Sequence, residues 1–158
     1  MNYHFFWGEE DPFSNFYPVK YYHPKHGHLM YNSEQDYMWH KAMFFGDIDI
    51  AEKIIQMTNP IHIKHAGRLV KGFDDTKWDK VKYEIMYEVC WLKFAVHKNL
   101  RQYILDTEDS FIVEASPYDR IWGIGYYKSD ALKAPMSDWG QNLLGQVLMQ
   151  VRRALGGR

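Results

Sequence analysis

The stretch "TKWDKVKYEIMYEVCWLKFAVH", residues 76–97, constrains the fold most strongly, because it keeps one helical period over the greatest length of chain. Apolar side chains recur in it about every 3.6 residues, with charged residues between them: Trp78, Val81, Ile85, Val89 and Leu92. This pattern predicts the longest helix of the protein, packed through one apolar face as the spine of the core.

Helix-start signals predict shorter helices along the rest of the chain. The stretch "NSEQDYMWHKAMFF" begins with cap-type residues and has Asp36 three positions after Ser33, as in a capping box. Asp47 is a second candidate cap, and Asn59 followed by Pro60 is a strong start signal. We expect two more helices over "NLRQYILDT" and "SDWGQNLLGQVLMQVRRAL".

The β signals lie in the first thirty residues and in one later segment. Pro12, Pro18 and Pro24 prevent a continuous helix, while "VKYY" and "HLMY" predict two strands of a hairpin joined across "HPKHG". The segment "FIVEA" is typical of a buried strand. The prediction is therefore a mainly α protein with a small β element, an α+β single compact domain over residues 1–158.

The composition excludes several classes of protein. A formal net charge of −1 gives no global field that would draw the chain to nucleic acid. The single cysteine, Cys90, excludes a disulfide framework and favours a reducing compartment. The N-terminal residues do not resemble a signal peptide, and no apolar run approaches the ~20 residues of a membrane helix. We expect a cytoplasmic protein with no membrane segment.

The first candidate site lies on the helix that begins at Ser33. Glu34 and Lys41 are seven positions apart, so they differ by only about 20° around the helix and ~10.5 Å along it. Met38 lies between them on the same face. In one interpretation, this face presents an acid, an apolar side chain and an ammonium group to a ligand. In the other, it is a solvated stripe, and Glu34 in the first turn only interacts favourably with the helix dipole.

The second candidate site is the segment "IVEASPYDRIWGIGY", residues 112–126. Glu114 ends the expected strand, a common place for a ligand site, and Asp119, Arg120 and Trp122 follow in a turn. The glycines of "GIG", Gly123 and Gly125, permit close backbone approach to a ligand, although the dinucleotide fingerprint is incomplete. In the alternative interpretation, Asp119 pairs with Arg120 and Trp122 fills the core.

Histidines raise the question of a metal. The stretch "HPKHGH" holds His23, His26 and His28, and "HIKH" holds His62 and His65. No thiolate pair or HExxH pattern accompanies them, so we expect ordinary surface histidines and no bound metal. Cys90 has no histidine nearby in the sequence, which favours a buried thiol over a nucleophile.

Taken in order, seven blocks of the sequence resemble those of the NADAR domain, the YbiA-like superfamily. They are "PFSNFYP", "SEQDYMWHKAMFF", "NPIHIKHAGRLVKGFD", the tryptophan at 78, "KFAVHKNLRQYILDT", "IVEASPYDRIWGIG" and "GQNLLGQVLMQVR". The resemblance covers nearly the whole chain. The combination of SEQ and a later lysine with E-x4-D-x2-WG is specific, whereas no single block is.

The resemblance implies a mainly helical single domain with N-glycosidase activity and no cofactor. Some members are similar to enzymes that cleave ribose 5-phosphate from the amino group of early riboflavin-pathway pyrimidines. Others resemble ADP-ribosyl hydrolases that act on guanine in DNA. The expected partner is therefore a small phosphoribosyl or ADP-ribosyl substrate, or ADP-ribosylated DNA.

The resemblance also implies roles for particular residues. Glu34 or Asp119 would stabilise the positive charge at the anomeric carbon and activate water, with Glu114 as the next candidate. Lys41 would neutralise phosphate, tune Glu34, or form a Schiff base with a ring-opened ribose. The remaining expected substrate-binding residues are Trp122 and Trp78 for stacking, Arg68 for phosphate, and Asn15, Gly123 and Gly125. Arg120 is a further candidate for phosphate on the chemistry of its guanidinium alone.

Two other functions compete with the enzyme. A non-catalytic module that binds ADP-ribose or NAD would keep Trp122 and the phosphate-binding residues but would not need Glu34. A helical interaction domain would use all of its aromatic residues in the core. The aromatic opening "HFFWGEEDPFSNFYP" favours a pocket rim over this last possibility.

Overall fold

The structure is a computed structural model that describes all 158 residues, and it is mainly helical, as the sequence predicts. The strands are β1 (Tyr3–Phe6), β2 (Tyr21–Tyr22), β3 (Leu29–Met30) and β4 (Phe111–Glu114). The helices are α1 (Ser33–Phe44), α2 (Ile48–Ile55), α3 (Pro60–Arg68), α4 (Asp75–Asp79), α5 (Lys82–Val96), α6 (Lys98–Leu105), α7 (Lys128–Ala131) and α8 (Leu143–Ala154). No helix is both long and apolar enough to cross a membrane.

Local hydrogen bonds confirm most of the predicted helix starts. The side chain of Asp47 accepts a hydrogen bond from the amide of Ile50, and Asn59 caps α3 with Pro60 in its first turn. The predicted capping box of α1 is wrong. Asn32 is the N-cap, accepting from the Gln35 amide at 2.8 Å, because Ser33 already lies inside the helix.

The predicted continuous helix over residues 76–97 is wrong, because the chain breaks between α4 and α5. The break allows Trp78 to pack against α1, with its ring 5.5 Å from that of Tyr37. The following helix, α5, is still the longest, and it packs against α1, α6 and α8. Both Trp78 and α5 therefore pack against α1, on either side of a break that the local period does not predict.

A parallel strand pair joins the N-terminal segment to a strand in the last third of the chain. β1 pairs with β4 in a register that places Tyr3 opposite Phe111 and Phe6 opposite Glu114. The sequence predicts β4 but not β1, which lies before the predicted hairpin. The predicted hairpin of β2 and β3 is confirmed as an antiparallel pair. As a result, the residues after Phe6 lie beside the loop that follows Glu114.

The last helix begins at Leu143, later than the predicted segment from residue 137. Asn142 precedes it in a left-handed conformation with φ of 52°. Its buried side chain accepts a hydrogen bond from the Glu114 amide and donates one to the Ile112 carbonyl, both at 2.9 Å. One residue therefore ties the start of α8 to β4 and fixes the backbone of Glu114.

Replacing Asn142 with alanine should destabilise the fold by about 2–4 kcal/mol. The change removes two buried hydrogen bonds and places alanine in a left-handed conformation that asparagine tolerates better. The measurement is the free energy of unfolding by urea, with exposed Gln141→Ala as the control. Equal stability of the two variants would contradict the role given to Asn142.

Candidate active site

One cavity of about 470 Å³ brings together acids, cations and aromatic rings from four parts of the chain. The N-terminal segment supplies Trp7, Asn15 and Phe16, and α1 supplies Glu34, Tyr37 and Lys41. Helix α3 supplies Lys64 and Arg68, and the end of β4 with its loop supplies Glu114, Asp119 and Trp122. The volume suits a small ligand.

Glu34 lies in the first turn of α1 and faces this cavity. Its backbone amide donates to the carbonyl of Asn15 at 3.0 Å, which holds the helix start against the N-terminal segment. Its side chain is 6% exposed and forms no salt bridge. Burial raises the pKa of Glu34 to about 7, against a smaller opposing effect of Lys64, with Asp119 adding to the increase.

Glu114 is the second acid with an unusual titration. Its Oε2 atom is buried and has no hydrogen-bond partner in the protein. Burial raises the pKa of Glu114 to about 8, and the carboxylates of Asp119 and Glu34 contribute to the increase. Because Glu34 and Glu114 affect each other's titration, they titrate as a pair.

Asp119 shapes the loop that closes the cavity. Its Oδ1 atom accepts hydrogen bonds from the amides of Ile121 and Trp122, both at 2.9 Å. These bonds hold the tight turn after Pro117 and place Trp122 at the cavity wall. The carboxylate therefore has a structural task as well as an electrostatic effect on both glutamates.

Three cations line the same cavity. Lys41 donates to the Gly67 carbonyl at 2.9 Å and lies 4.5 Å from the centre of the Phe73 ring. Burial lowers the pKa of Lys41, and Glu34 opposes that effect. Lys64 and Arg68 are four positions apart on α3, so they face the same way. Because burial raises the pKa of Glu34 and Glu114, these acids offset the three cations less than ordinary carboxylates would.

Aromatic rings form the walls and the rim. The Trp122 ring meets Tyr37 edge to face at 5.5 Å between centroids. At the opening, the exposed rings of Trp7 and Tyr118 lie 6.1 Å apart. These flat apolar surfaces suit stacking with a planar heterocycle.

Seven of the residues singled out in the sequence line the cavity, and four do not. The seven are Glu34, Lys41, Glu114, Asp119, Trp122, Arg68 and Asn15. Trp78 is 6% exposed and packs in the core behind Tyr37. Arg120 turns away and donates to the Asp138 carbonyl at 2.6 Å, so it does not pair with Asp119 as in the alternative interpretation.

The two predicted glycines pack against the protein's own atoms. A Cβ on Gly123 would lie 2.9 Å from the Glu114 carbonyl oxygen. A Cβ on Gly125 would lie 2.7 Å from the Arg120 side chain, and this glycine has φ of 76°. They allow the loop to fold tightly against β4 rather than to approach a ligand.

Sequence reasoning missed several cavity residues. Lys64 carried a signal, because it lies one helical turn before Arg68. Trp7 and Phe16 belong to the aromatic opening that predicted a pocket rim. No sequence pattern marked Met86 and Leu144 as cavity residues, because each lies on an ordinary apolar helix face.

The remaining sequence expectations concern the thiol and the histidines. Cys90 is buried, with its pKa raised to about 12 by burial, which agrees with an inert thiol. His28, His62 and His65 are exposed, as expected. The expectation is wrong for His23, which is completely buried, and for His26, whose side chain is 7% exposed.

The fold and the cavity define a mainly helical α+β protein with one cavity in which acids, cations and aromatic rings are interleaved. The chain belongs to the NADAR domain family, whose model matches residues 5–156. The resemblance that the sequence blocks indicated is thereby confirmed.

Known proteins similar to this chain agree with that assignment. An N-glycosidase of Acanthamoeba polyphaga mimivirus is 42% identical over 144 residues, which cover 89% of this chain and 85% of the viral protein. The chloroplastic riboflavin biosynthesis protein PYRR of Zea mays is 34% identical over 113 residues, 69% of this chain and 16% of that protein. The NMR structure of Escherichia coli YbiA matches with a TM-score of 0.77 and 26% identity, over 98% of this chain and 84% of YbiA.

The raised pKa values predict how stability depends on pH. The folded state favours the protonated forms of Glu34 and Glu114, so both lower stability as pH rises from about 4.5, the ordinary value, towards 8. Glu114→Gln should therefore be more stable than the parent protein by about 2 kcal/mol at pH 8, and no more stable at pH 4. Urea unfolding at both pH values measures this.

The matched control is Glu52→Gln, a change of the same chemical type on the exposed side of α2. It should give no gain in stability that grows with pH. A gain for Glu114→Gln that is equal at pH 4 and pH 8 would show that this carboxyl titrates normally.

Proposed function

We propose that this protein is an N-glycosidase that hydrolyses the bond between a phosphorylated ribose and a base-like amine. The observation that carries the proposal is the convergence of Glu34, Glu114 and Asp119 with three cations around one cavity. Such a reaction builds positive charge at C1′, which carboxylates stabilise, on a substrate whose phosphate requires cations. The viral relative and Escherichia coli YbiA are both named as N-glycosidases, which supports the same reaction class.

The reaction needs one acid and one base. The C1′–N bond breaks with its electron pair remaining on nitrogen, which takes up a proton. Water adds to C1′ and gives up a proton, so the products are the free amine and the ribose phosphate. Burial raises the pKa of both glutamates towards neutrality, which suits groups that exchange protons during the reaction. We assign the base to Glu34, at the start of α1, and the acid to Glu114, whose Oε2 atom is buried without a hydrogen-bond partner.

The other cavity residues bind the substrate in this proposal. Lys64 and Arg68 hold the phosphate from one face of α3, and Arg68 presents a planar fork suited to phosphate oxygens. Trp122 stacks with the departing heterocycle. These groups supply acid, base and charge stabilisation, so the proposed mechanism is metal-independent.

Within this class, we propose a ribosylaminopyrimidine 5-phosphate of riboflavin biosynthesis as the substrate. The name of the maize relative supports this pathway, and the cavity volume of about 470 Å³ suits a nucleotide-sized molecule. ADP-ribose attached to guanine is the second candidate. Two features favour it: Arg68 is exposed, where it could reach a second phosphate, and the exposed rings of Trp7 and Tyr118 extend the stacking surface outwards.

The decisive experiment incubates the purified protein separately with three kinds of substrate. These are the riboflavin-pathway ribosylaminopyrimidine phosphates, ADP-ribosylated guanosine or DNA, and NAD. Mass spectrometry should detect ribose 5-phosphate released from the first. Release of ADP-ribose only from modified guanine would assign the second candidate, and binding without release would indicate a non-catalytic ADP-ribose module.

Removing the proposed base should lower turnover with the fold intact. We expect Glu34→Gln and Asp119→Asn to reduce kcat by about 100-fold or more, because each weakens stabilisation of the cationic transition state. Glu52→Gln, outside the cavity, should keep the parent rate. Near-parental turnover in both site variants, with folding verified by circular dichroism, would rule out this mechanism.

Lys41 provides a separate test, since we assign it an electrostatic role beside Glu34. Lys41→Arg should then keep a substantial part of kcat, whereas Lys41→Met should lose about 10-fold or more and raise KM. Borohydride treatment during turnover should leave the parent protein unmodified. Trapping of a sugar adduct on Lys41 would replace the electrostatic role with a Schiff base.

A further inference from the structure

Three histidines and one aspartate form a cluster on the face of α1 that points away from the cavity. His23 and His26 come from the turn between β2 and β3, while Asp36 and His40 come from α1. One ligand-type atom from each residue lies within 4.8 Å of all the others. The cluster was not apparent in the sequence, because its two halves lie on different elements.

The order and spacing of these residues suit a structural metal site. They follow the pattern H-x2-H-x9-D-x3-H across a hairpin and the next helix. Structural zinc sites commonly take two closely spaced ligands from a turn and two, about one helical turn apart, from a helix. Three imidazoles and one carboxylate are nitrogen and oxygen ligands that zinc accepts in tetrahedral geometry.

The burial of the cluster points to a missing partner. The side chains of His23 and Asp36 are 0% exposed, and that of His26 is 7% exposed. The Nε2 atom of His23 is buried without a hydrogen-bond partner, and the Glu88 carboxylate lies 3.5 Å away outside hydrogen-bond geometry. A buried polar atom without a partner is rare and needs an explanation, which a bound cation would supply.

Asp36 is arranged as a metal-binding carboxylate would be. Its Oδ1 atom lies 3.1 Å from both His26 Nε2 and His40 Nδ1. Two ligands of one tetrahedral ion, with bonds of about 2.0–2.1 Å, lie roughly 3.3 Å apart, so Asp36 and His26 need little movement. His40 Nδ1 also donates to the Asp36 backbone carbonyl at 2.8 Å, and it must lose that proton and contact to bind the ion. The other oxygen accepts a hydrogen bond from the Tyr21 hydroxyl at 2.9 Å, which orients the carboxylate from outside the cluster.

We propose that His23, His26, Asp36 and His40 bind a divalent metal ion of the zinc type, which clamps the β2–β3 hairpin to α1. Asp36 lies two positions after Glu34, about 200° around the helix, so the ion is on the opposite face from the cavity. The site is structural and does not rest on the proposed N-glycosidase activity. Its effect on the cavity is to fix the helix that carries Glu34 and Lys41.

Binding requires a defined change in the turn. The Nδ1 atoms of His23 and His26 accept hydrogen bonds from the amides of Lys25 and His28, both at 3.1 Å. These bonds place the ring protons on Nε2. When Nε2 binds the ion, the proton moves to Nδ1 and can no longer face an amide N–H, so the two amides must turn away. Their NMR resonances therefore report occupancy of the site.

The test titrates chelator-treated full-length protein with zinc chloride by calorimetry and follows the melting temperature. We expect one zinc ion per chain, a higher melting temperature, and shifted amide resonances of Lys25 and His28. Cobalt(II) chloride in place of zinc should give the strong visible absorption of a four-coordinate ion. Failure to bind zinc, or a cobalt spectrum typical of six-coordinate ions, would overturn the proposal.

Two variants and a matched control give the test its specificity. His40→Gln and His26→Gln should each bind zinc at least about tenfold more weakly, with folding verified by circular dichroism. His28→Gln is the control, because its exposed ring lies beside His26 but outside the cluster. It should bind zinc as the parent protein does. Unchanged affinity in both cluster variants, or an equal loss in His28→Gln, would place the ion elsewhere.

Discussion

The buried first turn of α1 is the constraint on which the rest of the structure depends. Five consecutive polar residues, Asn32 to Asp36, are buried there, and burial without partners would cost several kcal/mol. Asn32 caps the helix and donates to the Thr58 carbonyl, Ser33 donates to Asn15, and Gln35 bonds the carbonyls of Ile54 and Met57. These hydrogen bonds thus attach two neighbouring segments, the N-terminal segment and the end of α2, to the same helix end.

Glu34 is the exception in this turn, and its position follows from its neighbours. The residues on both sides of it hold the helix to the N-terminal segment and to the end of α2, so its side chain has only the cavity to face. Glu114 reaches the same cavity through other contacts, because the β1–β4 pair and Asn142 fix its backbone. The acids therefore meet through contacts between segments that are far apart in sequence.

Local signals predicted the parts of this protein that depend on neighbouring residues. The predictions of the caps Asp47 and Asn59 and of the β2–β3 hairpin were correct, because each depends on a few consecutive residues. The pairing of β1 with β4 joins residues more than a hundred positions apart, and the break before α5 depends on the packing of Trp78 against α1; neither leaves a local pattern. In the cavity, the helical spacing of Glu34 and Lys41 was informative, whereas Trp78 and Arg120 have the right chemistry but face elsewhere.

Glu34 forms no salt bridge, and this determines how its carboxyl titrates. A direct ion pair with a lysine would stabilise the carboxylate and lower its pKa. Instead, Lys41 is held by the Gly67 carbonyl, and burial keeps the pKa of Glu34 at about 7. The acid can therefore exchange a proton near neutral pH, while the cations stay available to a phosphate. Because Glu34 has no ion pair with Lys41, its burial lowers the stability of the folded state at high pH. For the same reason, both the acid and the cations of the cavity are free to contact a ligand.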